Sequence, residues 1–161
     1  TIINIEEGGC FEMDSVQIKG VDSTKRDTKA CLKDGATLII HEKIMTHGVQ
    51  TAETNFEVDL DGKGSSANVV SRSVARENSN QIFNSKINGN NECSGHTECD
   101  AIIMEDASVS AIPQLTANNI DAALIHEAAI GKIAGEQIIK LMTLGLTEAE
   151  SEEQIINGFL K

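Results

Sequence analysis

Cys93 and Cys99 lie close together within the run Asn84–Met104, with His96 and Glu98 between them. A thiolate is a soft ligand suited to zinc, Cu(I) or an iron–sulfur centre, whereas carboxylates suit harder ions and imidazole bridges the two classes. The pattern therefore points towards metal ligation. Two neighbouring cysteines cannot close a four-thiolate site, so a centre here needs histidine, carboxylate or a second subunit. The four cysteines, Cys10, Cys31, Cys93 and Cys99, match no paired C-x-x-C zinc module. Against ligation stands the ordinary behaviour of a free cysteine, which packs as a small buried hydrophobe. Cys10 and Cys31 fit that description. Cys99 is set apart by Glu98 and Asp100, which strand alternation puts on the opposite face. A second candidate is the neighbouring imidazole and carboxylate of His126-Glu127, at a point where the sequence period changes.

Other chemistries find no support. The chain has no G-x-S-x-G, no P-loop and no H-E-x-x-H. Gly62-Lys-Gly-Ser-Ser66 lacks the order of a phosphate loop and reads as a β-turn, and Arg72 and Arg76 read as surface salt-bridge partners. A net charge of −12 over 161 residues argues against nucleic acid and against an anionic membrane surface. No apolar run reaches the ~20 residues of a membrane span, and no signal peptide opens the chain. With four cysteines the chain is no disulfide scaffold, and a reduced, cytoplasmic setting is expected. The start at Thr1, inside the strand-like run Thr1–Ile5, is what a fragment or a processed chain would show.

The elements that must carry these residues change character along the chain. Thr54–Leu60 alternates, with Phe56, Val58 and Leu60 on one face and Asn55, Glu57 and Asp59 on the other, as a half-buried strand does. Ala67–Val74, Gln81–Ile87, Glu98–Met104 and Ser108–Ile112 are further strands, separated by turns such as Asn88-Gly-Asn-Asn91. Short strands without intervening helices predict an all-β layout: sandwich, barrel or β-helix. Scarce aromatics and many small residues favour stacked coils. Near residue 126 the period becomes helical. Ile138, Leu141 and Met142 share a helix face, Gly145 sits where a left-handed residue ends that helix, and Thr147-Glu-Ala-Glu150 forms a capping box. Ile155/Phe159 and Ile156/Leu160 are i, i+4 apolar pairs. His126–Ile133 reads as a loop leading into a helical turn. The expected division is a β region over 1–125 and a helical region over 126–161.

Several runs then carry a resemblance: Gly62–Ser66, Ser71–Arg76, Asn90–Asp100, His126–Ile133, and Gly145–Glu150 through Asn157–Leu160. Together they resemble the SufB/SufD family, the scaffold proteins of SUF-type iron–sulfur cluster assembly, and most of all the short SufB-like form of archaea and some anaerobic bacteria. The resemblance implies a right-handed parallel β-helix with a small C-terminal helical region. It implies a scaffold, not an enzyme, that holds a transient cluster, expected as [4Fe-4S], at the interface of a homodimer or of a pair with a SufD-like paralogue. It implies an ABC-type ATPase partner, SufC-like, docked on the terminal helices, with Gln137, Lys140, Leu141, Leu144, Leu146 and Glu150 as contacts. Cys99 matches the family's scaffold cysteine in T-x-C-D, and His126 and Glu127 match its His-Glu pair. Cys93 is an additional ligand candidate. The family's N-terminal region and early C-x-x-C-type motif are missing, so sulfur acceptance is not expected of this chain.

Mixed ligation suits a scaffold, which must release what it holds. Two copies of Cys99 with two of Glu127 or His126 supply four ligands across a two-fold axis. The rival reading is a non-catalytic β-helix module with buried, non-ligating cysteines. A β-helical polysaccharide enzyme is a third, but nothing marks its cleft.

Overall fold

The computed structural model describes residues 1–18 and 20–161. Ten strands precede two helices. They are β1 (Ile2–Ile5), β2 (Cys10–Gln17), β3 (Ser23–Leu32), β4 (Thr37–Thr46), β5 (Thr51–Leu60), β6 (Ser65–Ala75), β7 (Asn80–Gly89), β8 (Cys93–Ile103), β9 (Ser108–Ala117) and β10 (Ala122–Gly131), then α1 (Gly135–Met142) and α2 (Glu148–Phe159). Odd strands form one sheet in the order β1-β3-β5-β7-β9, and even strands form another, β10-β8-β6-β4-β2. Every pairing is parallel. The chain is a parallel β-helix in which each coil gives one strand to each sheet, closed by C-terminal helices.

Alternation drives the winding. In β4 and β5 every second side chain is buried. Those side chains meet between the sheets as an aliphatic core of Leu32, Leu38, Ile40, Val58, Leu60, Val69 and Ile87. Stacking like on like fills it without bulk, and Phe56 against Phe83, at 5.9 Å between ring centroids, supplies an aromatic contact. Outside, amide ladders fix the register. Asn84 donates to Asn55 and Asn55 donates to Asp27, over separations of 29 and 28 residues. Asn118, Asn90 and Asp61 repeat the device. A side-chain amide both donates and accepts, so such a ladder can pass from coil to coil. Gly62 lets stacked turns approach: a Cβ there would lie 2.0 Å from the Lys33 carbonyl carbon.

α2 is seated by Ile156, buried with Val74 and Met104 and flanked by Met45, Ile102, Ile133, Phe159 and Leu160. Thr147 and Glu150 form the predicted capping box, and Gly145 takes a φ of +99°. Among the described residues no helix is long and apolar enough to cross a membrane.

Three sequence expectations are corrected. His126–Ile130 is strand, not loop, because β10 pairs with β8 along its whole length, and the change to helix comes only after Gly131. The strand expected over Glu98–Met104 begins earlier, at Cys93, as β8. Cys10 and Cys31 are not buried: Cys10 is exposed and Cys31 half-buried. The Cys31 thiol donates to Asp61, and burial, with that bond and the Asp61 charge, raises its pKa.

Candidate metal-ligand sites on two faces of one strand pair

β8 and β10 position the candidates, and alternation sorts them. Cys93, Gly95, Thr97 and Cys99 face inward on β8, while His96, Glu98 and Asp100 face outward. In register beside them, His126 lies opposite Thr97, Glu127 opposite Glu98, and Ala128 opposite Cys99. The His126-Glu127 pair is thereby split. Adjacent residues of a strand point to opposite faces, so the imidazole joins the inner set and the carboxylate the outer one.

On the inner face Cys99 is 1% exposed. Its strand neighbours in the inward row are Ser71 and then Glu42. The Glu42 carboxylate is fully enclosed. It accepts from Arg26 Nη1 at 2.6 Å and from the Thr54 and Ser71 hydroxyls at 3.1 Å. Burial, with the negative charges of Asp100 and Glu42, pushes the Cys99 thiol up to about 12. His126 contacts the Thr97 hydroxyl through Nδ1, while its Nε2 is buried without a hydrogen-bond partner. Burial lowers the His126 pKa, with His96 adding to the effect. A neutral imidazole with an unsatisfied buried nitrogen and a soft sulfur two residues further along the same inward face are a ligand pair in kind.

In the isolated chain this thiol is masked. A rise from 9.0 to about 12 cuts the thiolate fraction near pH 8 by roughly 10³, and the higher intrinsic nucleophilicity of a more basic thiolate returns part of that. Iodoacetamide is therefore expected to label Cys99 roughly fifty-fold more slowly than an ordinary exposed thiol. Peptide-resolved mass spectrometry at timed intervals measures this, and the rate should climb with pH well beyond the range where an ordinary thiol levels off. Labelling of Cys99 as fast as of exposed Cys10 would contradict the burial.

Cys93 is buried in the core at the start of β8, on the same inward face, and burial raises its pKa. At about 3.3 Å per residue it stands roughly 20 Å from Cys99. The structure does not bring the two cysteines together.

On the outer face His96, Glu98 and Glu127 converge, their ligand atoms all within 4.8 Å of one another. His96 Nε2 lies 3.0 Å from Glu127 Oε2, and Nδ1 lies 2.9 Å from Asn68 Oδ1. A hydrogen bond with Asp100 raises the Glu98 pKa, and partial burial and the Asp100 charge add to it. The sequence pattern holds His96 and Glu98 between the two cysteines, and the family resemblance gives a ligand role only to Cys99, His126 and Glu127; Glu127 reaches His96 and Glu98 from the next coil. The available signal was the coil period, which places Glu127 beside Glu98.

The expected partner-binding residues lie on the helical hairpin. Gln137, Lys140, Leu144 and Glu150 are exposed, while Leu141 and Leu146 are half-buried. Ile139, Met142 and Leu144 leave an apolar stretch uncovered, and no residue of α1 is buried. Glu150 is already engaged in the cap of α2.

Comparison with known proteins gives a consistent result. The family described as SUF system FeS cluster assembly, SufBD core domain, matches residues 1–159. An iron–sulfur cluster assembly SufBD family protein of Archaeoglobus fulgidus is 31% identical over 100% of this chain and 44% of its own length. One from Methanothermobacter thermautotrophicus is 33% identical over 83% of this chain and 33% of its own. One from Methanocaldococcus jannaschii is 30% identical over 98% of this chain and 51% of its own. The chain thus spans between about a third and a half of the length of these curated relatives.

Proposed function

The chain belongs to the SufBD family of iron–sulfur cluster assembly proteins, and on that premise we propose that it is a non-catalytic scaffold on which a cluster is built across a dimer interface. The observation that carries the reading is the inner-face pair, Cys99 and His126, set against the open end of the coil stack. β10 is the last strand of its sheet, and β9 is the last of the other. Such edges present unpaired backbone donors and acceptors to another chain. Exposed Ile112, Leu115, Ile125 and Ile130 lie on these two strands. Cys99 is one strand in from that end, beside the small side chain of Ala128.

Two copies meeting there supply two thiolates and two imidazoles, and a transient [4Fe-4S] cluster is the expected cargo. Glu127 takes no part in this ligand set, because it points away from Cys99. Deprotonating a thiol held near 12 is costly until iron takes the proton's place. The same cost weakens retention, which suits a scaffold that must release its product. Iron and sulfide are substrates here. The residues of this chain exclude water, hold the thiol and present the imidazole. An ABC-type ATPase partner in a reduced compartment, docked on the uncovered stretch of α1, is the proposed source of the work that opens and closes the interface. A SufD-like paralogue in place of the second copy leaves the geometry on this side unchanged.

The test is anaerobic reconstitution with ferrous iron and sulfide followed by size-exclusion chromatography. The cluster's visible absorption should elute with a dimer. Absorption eluting with the monomer would overturn the shared site, and absence of a cluster with unreactive thiols would favour a purely structural β-helix module.

A further inference from the structure

The outer-face group His96, Glu98 and Glu127 has no role in the cluster reading. Among the described residues it is where three metal-ligating side chains converge. We propose that these residues form a separate site for one labile divalent first-row metal ion, on the opposite side of the sheet from Cys99. Only the identity of the ion, ferrous iron awaiting assembly, rests on the scaffold reading above; the site does not.

The donor set has the chemistry of such an ion. One imidazole and two carboxylates are borderline and hard ligands, which suit Fe²⁺, Mn²⁺ or Zn²⁺, while the soft thiolate lies on the other face. Two carboxylates match the charge of a divalent cation. Asp100 adds further negative charge on the same face beside Arg72, its register partner, with Lys43 and Lys161 further along the same groove. Ligands about 2.1 Å from one ion stand roughly 3–4 Å apart. The 3.0 Å between His96 Nε2 and Glu127 Oε2 already meets this, and the other separations, all within 4.8 Å, close with shifts of about 1 Å or less.

The scaffold beneath is rigid. Glu98 and Glu127 are register partners on neighbouring strands, and His96 precedes Glu98 on the same face of β8. Asn68, on β6, is the register partner of His96 and presents Oδ1 to its Nδ1. A ring whose Nδ1–H donates to Asn68 turns Nε2 towards the carboxylates as the metal-binding lone pair, the usual arrangement around a metal-bound histidine. The cation takes the place of any proton shared between Nε2 and Glu127, which leaves to solvent. Three protein ligands leave coordination positions for water, so the ion is exchangeable.

The probe is Mn²⁺ alone, titrated into the full reduced chain and followed by loss of the free-ion electron paramagnetic resonance signal, with Fe²⁺ as competitor under anaerobic conditions. One Mn²⁺ per chain is expected, displaced by Fe²⁺. Glu98→Gln, which keeps size and shape, and His96→Ala should each weaken binding at least ten-fold, and Asn68→Ala should weaken it by about ten-fold while leaving all three ligands in place. Cys99→Ser should bind as wild type. Circular dichroism confirms that each variant is folded. A free-ion signal undiminished by the wild-type chain would overturn the proposal. So would unchanged binding in Glu98→Gln, or loss of binding in Cys99→Ser. None of these results bears on whether a cluster forms at Cys99, so the two readings fail separately.

Discussion

Arg26→Ala is expected to destabilise the fold by about 3–5 kcal/mol near pH 7.5, and by much less near pH 4. The reason is Glu42, whose side chain has no exposed surface and whose carboxylate is paired with Arg26 at 2.6 Å. Burial raises the Glu42 pKa, and Arg26, Ser71 and Thr54 oppose that rise. A carboxyl whose folded pKa lies above its unfolded value stabilises the fold below the unfolded value. That contribution is lost as pH rises through the folded one. Near neutrality the ionised Glu42 is therefore a burden that Arg26 offsets. Removing the guanidinium leaves an uncompensated buried charge and raises the folded pKa further, so the loss still begins at the unfolded value but grows larger and extends to higher pH. Urea unfolding at the two pH values measures the difference. Arg26→Met combined with Glu42→Gln should recover most of the stability at neutral pH, because no charge is then buried. Equal destabilisation at both pH values, with no recovery in the double variant, would show that Arg26 acts through packing alone.

Much of the fold was legible because a half-buried strand writes its period directly. The alternation of Phe56, Val58 and Leu60 with Asn55, Glu57 and Asp59 gives β5 and its inward face without any structure. The capping box at Thr147 and the left-handed Gly145 were legible for a similar reason: each is a local device with a fixed residue spacing. What failed to show were features set by register. His126–Ile130 has little strand character alone, and it becomes strand because β8 offers it an edge. Tertiary pairing outweighs intrinsic β-propensity.

The candidate sites divide along the same line. Cys99 was readable as an inward residue flanked by outward Glu98 and Asp100, and the structure has that arrangement. His126 and Glu127 are neighbours in sequence, and a loop would have let both approach one ion. A strand cannot, so one residue joined each face. His96 and Glu98 were visible as ligand types, but not their grouping with Glu127, because the coil repeat is weak in residue identity and Glu127 reaches them only through a spacing of about one coil. Cys31 was misread because its outward position on β3 brings it to Asp61 on the next coil, a contact the local sequence cannot show.

Cys99→Ser is the other large effect expected, a loss of the cluster rather than a weakening. Serine keeps the size of the side chain and a hydrogen-bonding group, so the buried inward row from Glu42 through Ser71 is preserved and the fold should survive. The soft ligand is gone, and an alkoxide cannot replace a thiolate towards iron–sulfur chemistry at neutral pH. Under a two-fold arrangement one substitution removes two of the four ligands at once. The direct measurement is iron and acid-labile sulfide per chain, with the visible spectrum, after anaerobic reconstitution of wild-type and Cys99→Ser protein side by side. The expected result is a cluster-bearing wild-type dimer and a folded Cys99→Ser variant holding neither sulfide nor the visible chromophore. A Cys99→Ser variant that retains wild-type iron, sulfide and absorption would contradict it.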